Sequence, residues 1–489
     1  MKNMTLAAIA AACNGQLYYE EKVTDAVAEA TQVIIDSRQI IPGGVFIATP
    51  GERVDGHSFI PQVFEKGALG VVCQTLPKEP LGPCILVEDS FKALQQIATF
   101  YREQLDVKVV GITGSVGKTS TKQFIASVLE QHYDTWKTQG NYNNEIGVPL
   151  TILQVRDNHQ VLVLEMGINH FGEMTRLSSM GKPDVVVITN IGDCHLEFLE
   201  DRDGVLRAKT EIFSGMASDG VIILNGEDDK LITIEDVDGK SPVFFGRSDN
   251  CSYCVLEENN EGLLGSNVVL VTRGECNNRA YVDTLEDSIA KAETSKAGIT
   301  KTDISASTKV TVHVPLPGKH MVNNAMAAMA VGETLGLSAE EIAKGIESVQ
   351  ATGGRSNIIK SDRYTIIDDC YNANPTSVKA AINLLNIADT SKVAILGDMF
   401  ELGENEKELH AEVGRYAATS GIDVLICIGE LSKNMYDAAC EEQTAMTYYY
   451  SDKEHALAAL DNILQEGDSI LVKASHSMGF EKIVEYLQK

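Results

Sequence analysis

Positive charge is scarce in this sequence: 41 lysines and arginines face 69 aspartates and glutamates, a net charge of −28 over 489 residues. Polyphosphate is neutralised by a basic patch, so a nucleic-acid partner is excluded. A small phosphorylated substrate is not, because a local Lys or Arg, Mg²⁺ and helix N-termini can carry that charge. Long apolar runs are also missing. None approaches the ~18 residues of a membrane span, so no membrane insertion is expected. Residues 1–13 lack the basic start and apolar core of a secretion signal. The ten cysteines form no paired framework, and Cys73 and Cys427 lie in apolar, strand-like runs. Buried, reduced thiols of a cytoplasmic protein fit that pattern. Internal repeats and low-complexity tracts are absent.

What is present is a soluble, globular composition, 44% hydrophobic and 22% charged, in a chain too long for one core. Residues 1–106 mix short strand-like runs (Gln32–Asp36, Val45–Thr49) with Pro-Gly turns and a helix over Ser90–Leu105. Residues 107–351 open with a strand at Lys108–Thr113, a glycine-rich turn and a helix from Lys118. Apolar strands at Val161–Glu165 and Val185–Thr189 follow, which implies a parallel α/β sheet. About 248–306 the chain becomes polar and strand-poor and reads as an insertion, with a charge-mixed helix at Thr284–Lys296. Residues 352–489 alternate strands (Thr365–Asp368, Val393–Gly397, Val424–Ile428, Ile470–Val472) with helices (Glu404–Ala418, Lys453–Leu464), a Rossmann-like layout. The fold class is therefore α/β with three domains, the central one a P-loop ATPase domain with a parallel sheet.

The most specific local signal is Gly111-Ile-Thr-Gly-Ser-Val-Gly-Lys-Thr-Ser120, set between a strand and a helix. In such a loop the backbone N–H groups of Thr113, Gly114, Ser115, Val116, Gly117 and Ser120 converge on phosphate oxygens, and the helix dipole adds positive potential. Lys118 faces the β- and γ-phosphates of ATP, and the Thr119 hydroxyl is a Mg²⁺ ligand. The strict pattern asks for glycine at position 112, where isoleucine stands. Glu165, at a strand end, suits a Mg²⁺ ligand.

The loop variant resembles the Mur ligase family, three-domain enzymes that join an amino acid or dipeptide to UDP-N-acetylmuramoyl peptides. Further stretches match it in order: Asp36-Ser-Arg38, Asp55-Gly-His57, Gly140-Asn-Tyr-Asn-Asn-Glu-Ile-Gly-Val-Pro149, Leu164-Glu-Met-Gly167, Thr189-Asn-Ile-Gly-Asp-Cys-His195, Arg207-Ala-Lys209 and Pro317-Gly-Lys-His-Met-Val-Asn-Asn324. Asp368-Asp-Cys-Tyr-Asn-Ala-Asn-Pro375 and Leu396-Gly-Asp-Met-Phe-Glu-Leu-Gly403, with His410 following, resemble the members that add D-alanyl-D-alanine, as do Asn143 and Asn144.

The resemblance implies a UDP-N-acetylmuramoyl-tripeptide and D-alanyl-D-alanine as substrates, ATP as cosubstrate, and activation of a carboxylate as an acyl phosphate. It implies one Mg²⁺ site at Thr119 and Glu165 and a second at His195 and Lys209, with Lys209 carbamylated. A helical lysine is ordinarily solvated, and Thr210 stands where the resemblance suggests glycine. By the same resemblance His320 and Asn324 flank the adenine, Arg355 reaches the γ-phosphate and Asp369 the ribose. Asn372 and Asn374 meet the dipeptide, and Ser37 and Arg38 the UDP moiety. Lys473-Ala-Ser-His476 departs from the expected pattern, with Ala474 for glycine and His476 for arginine. A monomer is expected. Three rival readings are weaker. A folylpolyglutamate-type ligase shares the phosphate loop and layout, but the first-block motifs that the resemblance ties to a UDP sugar argue against it. A zinc deaminase is suggested only by His195-Leu-Glu197 and Cys251-Ser-Tyr-Cys254, without the proline such a motif requires. A non-catalytic binding module would not need Lys118, Glu165 and Lys209 together.

Overall fold

The computed structural model describes residues 1–19, 28–51, 54–79, 81–272, 308–350 and 357–488. Arg355 and the expected helix at Thr284–Lys296 lie outside the described residues.

Three sheets follow one another along the chain. In the first, five short strands run in the order Gln16–Tyr18, Cys84–Leu86, Gly70–Cys73, Val45–Ile47, Val33–Ile34, parallel except for the first pair. The second has nine strands. Seven are mutually parallel, from Thr135–Lys137 at one edge through Val161–Glu165, Lys108–Thr113, Val185–Ile188, Val221–Asn225 and Val243–Phe245 to Tyr253–Asn260. Ser266–Thr272 and Lys309–Val314 then add on antiparallel. The third has six strands. Asn357–Lys360 is an antiparallel edge, and Thr365–Asp368, Ser469–Lys473, Lys392–Gly397, Val424–Ile428 and Met446–Tyr450 are parallel.

The region read from sequence as a strand-poor insertion is corrected in part: residues 253–272 form a hairpin of the central sheet. The outer half of Tyr253–Asn260 is exposed and carries Glu257, Glu258, Asn259 and Asn260, so its strand lacks the apolar alternation that marks a half-buried one.

The first two sheets share a core. Ser90–Arg102 is a helix capped by Asp89, whose carboxylate accepts from the N–H groups of Phe91 and Lys92. Its Leu94, Ile97 and Tyr101 belong to one apolar cluster that runs from Met4 and Ile85 to Leu162, Met174 and Leu177. Arg102, almost buried, ties this helix to the central block. Its guanidinium donates to the carbonyls of Gly181 (2.9 Å) and Leu105 (3.2 Å), and more distantly to those of Val107 and Lys182. The other face of the central sheet is covered by Lys118–Leu129, Lys319–Thr334 and Ala339–Glu347. The third sheet has clusters of its own on both faces.

Candidate active site

The strand Lys108–Thr113 delivers the chain to a tight loop, and the helix Lys118–Leu129 leaves from it. Ile112 lies inside the strand, fully buried and paired with Glu165 and Val187, so glycine has no conformational task there. The loop itself needs glycine. Gly117 has φ +82°, and a Cβ on Gly114 (φ +150°) would stand 1.9 Å from Thr189 Oγ1. Asn190 and Thr189 brace the loop from behind. The Val116 N–H donates to Asn190 Oδ1 (2.9 Å), and the Thr189 hydroxyl and Asn190 amide donate to the Val116 carbonyl (2.6 and 3.0 Å). Ser115 Oγ accepts from the Gly192 N–H at 2.8 Å. Lys118 Nζ folds onto the Gly114 carbonyl at 2.7 Å.

Glu165 is the hub. Its carboxylate, 1% exposed, accepts the Thr119 hydroxyl (2.9 and 2.8 Å) and the Asn143 amide (2.9 Å), and lies 3.0 Å from the Lys122 ammonium. Lys122 also donates to the Gly140 carbonyl at 3.2 Å. Reading the sequence missed Lys122. Its only signal was a fourth-position lysine beyond Lys118 on a helix, where lysine is usually solvated.

Across the cavity, Lys473 donates to Asp369 Oδ2 (2.6 Å) and to the Asn372 carbonyl (2.8 Å). This pair was also missed. His320 is half-buried, and desolvation holds its pKa below the ordinary value, with nearby Lys473 adding to the effect and Asp369 opposing it. Asn324 Oδ1 accepts from the Thr121 hydroxyl at 2.8 Å, fastening Lys319–Thr334 to the phosphate-loop helix. His195, in the left-handed region at φ +53°, places Nδ1 2.9 Å from Glu401 Oε2, a close polar contact off hydrogen-bond alignment. That contact holds the Glu401 carboxyl below its ordinary pKa.

One cavity of about 740 Å³ gathers most of the expected residues: Ser115–Lys118, Ser120, Asn143, Asn144, Glu165, His195, His320, Asn324, Asp369, Asn372 and Asn374. Thr119 reaches it through Glu165. Lys209 does not line it; it is 1% exposed on the helix Arg202–Thr210, where burial pushes its ammonium pKa down. Ser37 and Arg38 lie away from the cavity. Ser37 is buried, and the mostly exposed Arg38 grips Asp36. Asn144 and Asn374 each use their side-chain oxygen on a helix start, Asn144 accepting from the Gly147 N–H and Asn374 from the Ser377 N–H. Cys251 and Cys254 are buried at the start of the hairpin.

A phosphate loop with a hydroxyl–carboxylate pair beside it, facing a Rossmann-like sheet across a cavity, defines a nucleotide-dependent enzyme of the P-loop class. Residues 29–102, 112–332 and 354–476 match, in turn, the Mur ligase family catalytic domain, the Mur ligase middle domain and the Mur ligase glutamate ligase domain. The chain belongs to the Mur ligase family. It is 36% identical over 475 residues to the UDP-N-acetylmuramoyl-tripeptide–D-alanyl-D-alanine ligase of Bacillus subtilis (strain 168), covering 96% of this chain and 94% of that protein. A crystal structure of MurF from Acinetobacter baumannii superposes with a TM-score of 0.83 at 30% identity, over 99% of both chains. MurF ligase from Thermotoga maritima, solved in complex with ADP, gives 0.76 at 25% identity, over 94% of this chain and 97% of that one.

Proposed function

We infer that this protein is an ATP-dependent ligase that joins D-alanyl-D-alanine to a UDP-N-acetylmuramoyl-tripeptide through an acyl phosphate, yielding the pentapeptide precursor of peptidoglycan. The observation that carries the reading is full-length kinship with ligases named for this reaction, in a chain whose phosphate loop faces Asp369 and Lys473 across one cavity.

The chemistry explains why the site needs its parts. A carboxylate is a poor acylating agent, so the tripeptide's terminal carboxylate takes the γ-phosphoryl group of ATP. The amine of the dipeptide then attacks and phosphate leaves. The backbone N–H groups of the loop and Lys118 hold the polyphosphate in line for transfer. Thr119 and Glu165 offer adjacent oxygen donors, which fits Mg²⁺, a hard cation that binds through one or two protein oxygens and substrate phosphates. When bound, it screens the anionic groups that must converge. His195 and a carbamylated Lys209 would hold a second Mg²⁺. Carbamate formation would take a neutral Lys209 amine and CO₂ and release a proton; burial pushes the pKa of Lys209 down, the direction that favours this, and the carbamate would be an oxygen ligand.

His320 and Asn324 border the adenine, Asn324 with its NH₂ group, since its oxygen is held by Thr121. Asp369 binds the ribose and Arg355 the γ-phosphate. Asn143 and Asn372 contact the peptides, with Asn144 and Asn374 shaping the adjoining helix starts, and Ser37 and Arg38 receive the UDP moiety. Three domains, with boundaries near 106 and 352, make up a monomer that works in the cytoplasm. Among the described residues, no helix is long and apolar enough to cross a membrane.

The test is release of inorganic phosphate from purified protein. It is expected only when UDP-tripeptide, ATP, Mg²⁺ and D-alanyl-D-alanine are all present. Release with a UDP-dipeptide donor and a single diamino acid would assign the chain to a different reaction.

A further inference from the structure

Two carboxylates that line the cavity each face a buried lysine. Glu165 lies 3.0 Å from Lys122 and Asp369 2.6 Å from Lys473. Among the described residues, no three acidic, histidine or cysteine side chains gather into a chelating cluster. The Lys122–Glu165 pair is the more enclosed of the two, each side chain 1% exposed. Lysine is almost never that buried unless paired, and the pair spans three separate segments. Lys122 and Thr119 come from the phosphate-loop helix, Glu165 ends a strand, and the loop after Thr138 supplies the Gly140 carbonyl and the Asn143 amide.

This arrangement sets the order in which a metal ion can enter. Mg²⁺ gives up water reluctantly and needs negative charge to compensate. At Glu165 that charge is opposed by an ammonium in contact with it, while a hydroxyl and an amide hold both oxygens in place. A nucleoside triphosphate on the loop supplies the missing negative charge. We propose that Lys122 is a positioning residue that makes metal entry depend on nucleotide: it seats Glu165 against Thr119 while cancelling its charge, so a free divalent cation is rejected and a cation–nucleotide complex is accepted. The proposal rests on the nucleotide and Mg²⁺ reading given above.

Mn²⁺ serves as the probe, because its free and bound forms are distinguished by electron paramagnetic resonance without turnover. Wild type, K122M and K122M/E165Q are titrated with Mn²⁺, with and without the non-hydrolysable β,γ-imido analogue of ATP. Wild type is expected to bind no stoichiometric Mn²⁺ alone and to bind it with the analogue. K122M is expected to bind free Mn²⁺ at least about tenfold more tightly than wild type, with a Mn²⁺-dependent rise in melting temperature that wild type lacks. E165Q should abolish both gains. Equal affinity of wild type for Mn²⁺ with and without the analogue, or no gain in K122M, overturns the proposal. If K122M does not fold, K122Q, uncharged but polar, takes its place with the same expected gain, and equal wild-type affinity with and without the analogue still overturns the proposal. Wild type that binds the analogue but never Mn²⁺ would instead remove the metal assignment of Thr119 and Glu165, a separate failure.

Discussion

Removing Lys473 measures how much of the third block's stability rests on its buried ion pair. The ammonium is 3% exposed and serves Asp369 Oδ2 at 2.6 Å, the Asn372 carbonyl at 2.8 Å and the Asp369 carbonyl at 3.3 Å. Lys473→Met keeps most of the volume but takes this counter-ion from a carboxylate that is 13% exposed. Breaking a buried pair from one side costs roughly 3–5 kcal/mol, and the residual exposure of Asp369 points to the lower end, about 3 kcal/mol. For a unit of this size that shifts the midpoint by roughly 10 °C. Asp369→Asn leaves the ammonium its two carbonyls and should cost less, about 1–2 kcal/mol. The double variant should then be more stable than the sum of the two losses by about 1 kcal/mol or more. Differential scanning calorimetry is the assay, since it can resolve separate transitions in a chain that need not unfold in one step. A cost below about 1 kcal/mol for K473M, or strict additivity, would refute the reasoning.

Lys118→Ala should leave the melting temperature nearly unchanged and remove nucleotide binding by calorimetric titration, because the ammonium reaches loop carbonyls and not the core. Lys209 should give a carbamate resonance in ¹³C NMR with labelled bicarbonate that is absent in Lys209→Ala, and acetate or formate should partly restore that variant's activity. His410 accepts from the Met399 N–H through Nε2 and donates to the Glu406 carbonyl through Nδ1, and burial lowers its pKa. A depressed folded value means the contribution is present above the unfolded value of about 6.5 and is lost as pH falls through the folded one. Denaturant midpoints of the third block should therefore drop on acidification, and His410→Gln should flatten that slope. Arg102→Met deprives two well-bonded carbonyls of their donor, at roughly 1–3 kcal/mol each. Hydrogen exchange in Ser90–Arg102 should quicken accordingly.

The features legible in the sequence were those written in contiguous residues. The phosphate loop announces itself because strand, glycines, Lys118 and Thr119 are adjacent in the chain. Most strands of the third sheet were found because each is buried on both faces and so reads as an apolar run. Lys122–Glu165 and Asp369–Lys473 stayed hidden because each joins residues far apart in sequence, and a charged residue looks the same whether it is solvated or paired. A Cβ on Gly397 would come within 2.7 Å of the Ala474 methyl and 2.5 Å of the Phe480 ring, so the methyl at 474 is accommodated beside a glycine on the neighbouring strand. Asn374 both lines the cavity and caps a helix, two tasks that the sequence does not tell apart.

The core common to the first two sheets has a consequence during translation. Ser90–Arg102 leaves the ribosome with an apolar face that is covered only once Gly147–Ile152 and Glu173–Gly181 have followed it. The roughly 80 residues in between take on the order of 4–16 s to synthesise at ~5–20 residues per second. For that interval the nascent first block exposes the side chains that later meet Leu164 and Leu177, so it is then that a holdase chaperone can bind it. The same dependence governs chimaeras: exchanging the first hundred residues with a relative should succeed only when the facing surfaces of those two later helices are exchanged as well.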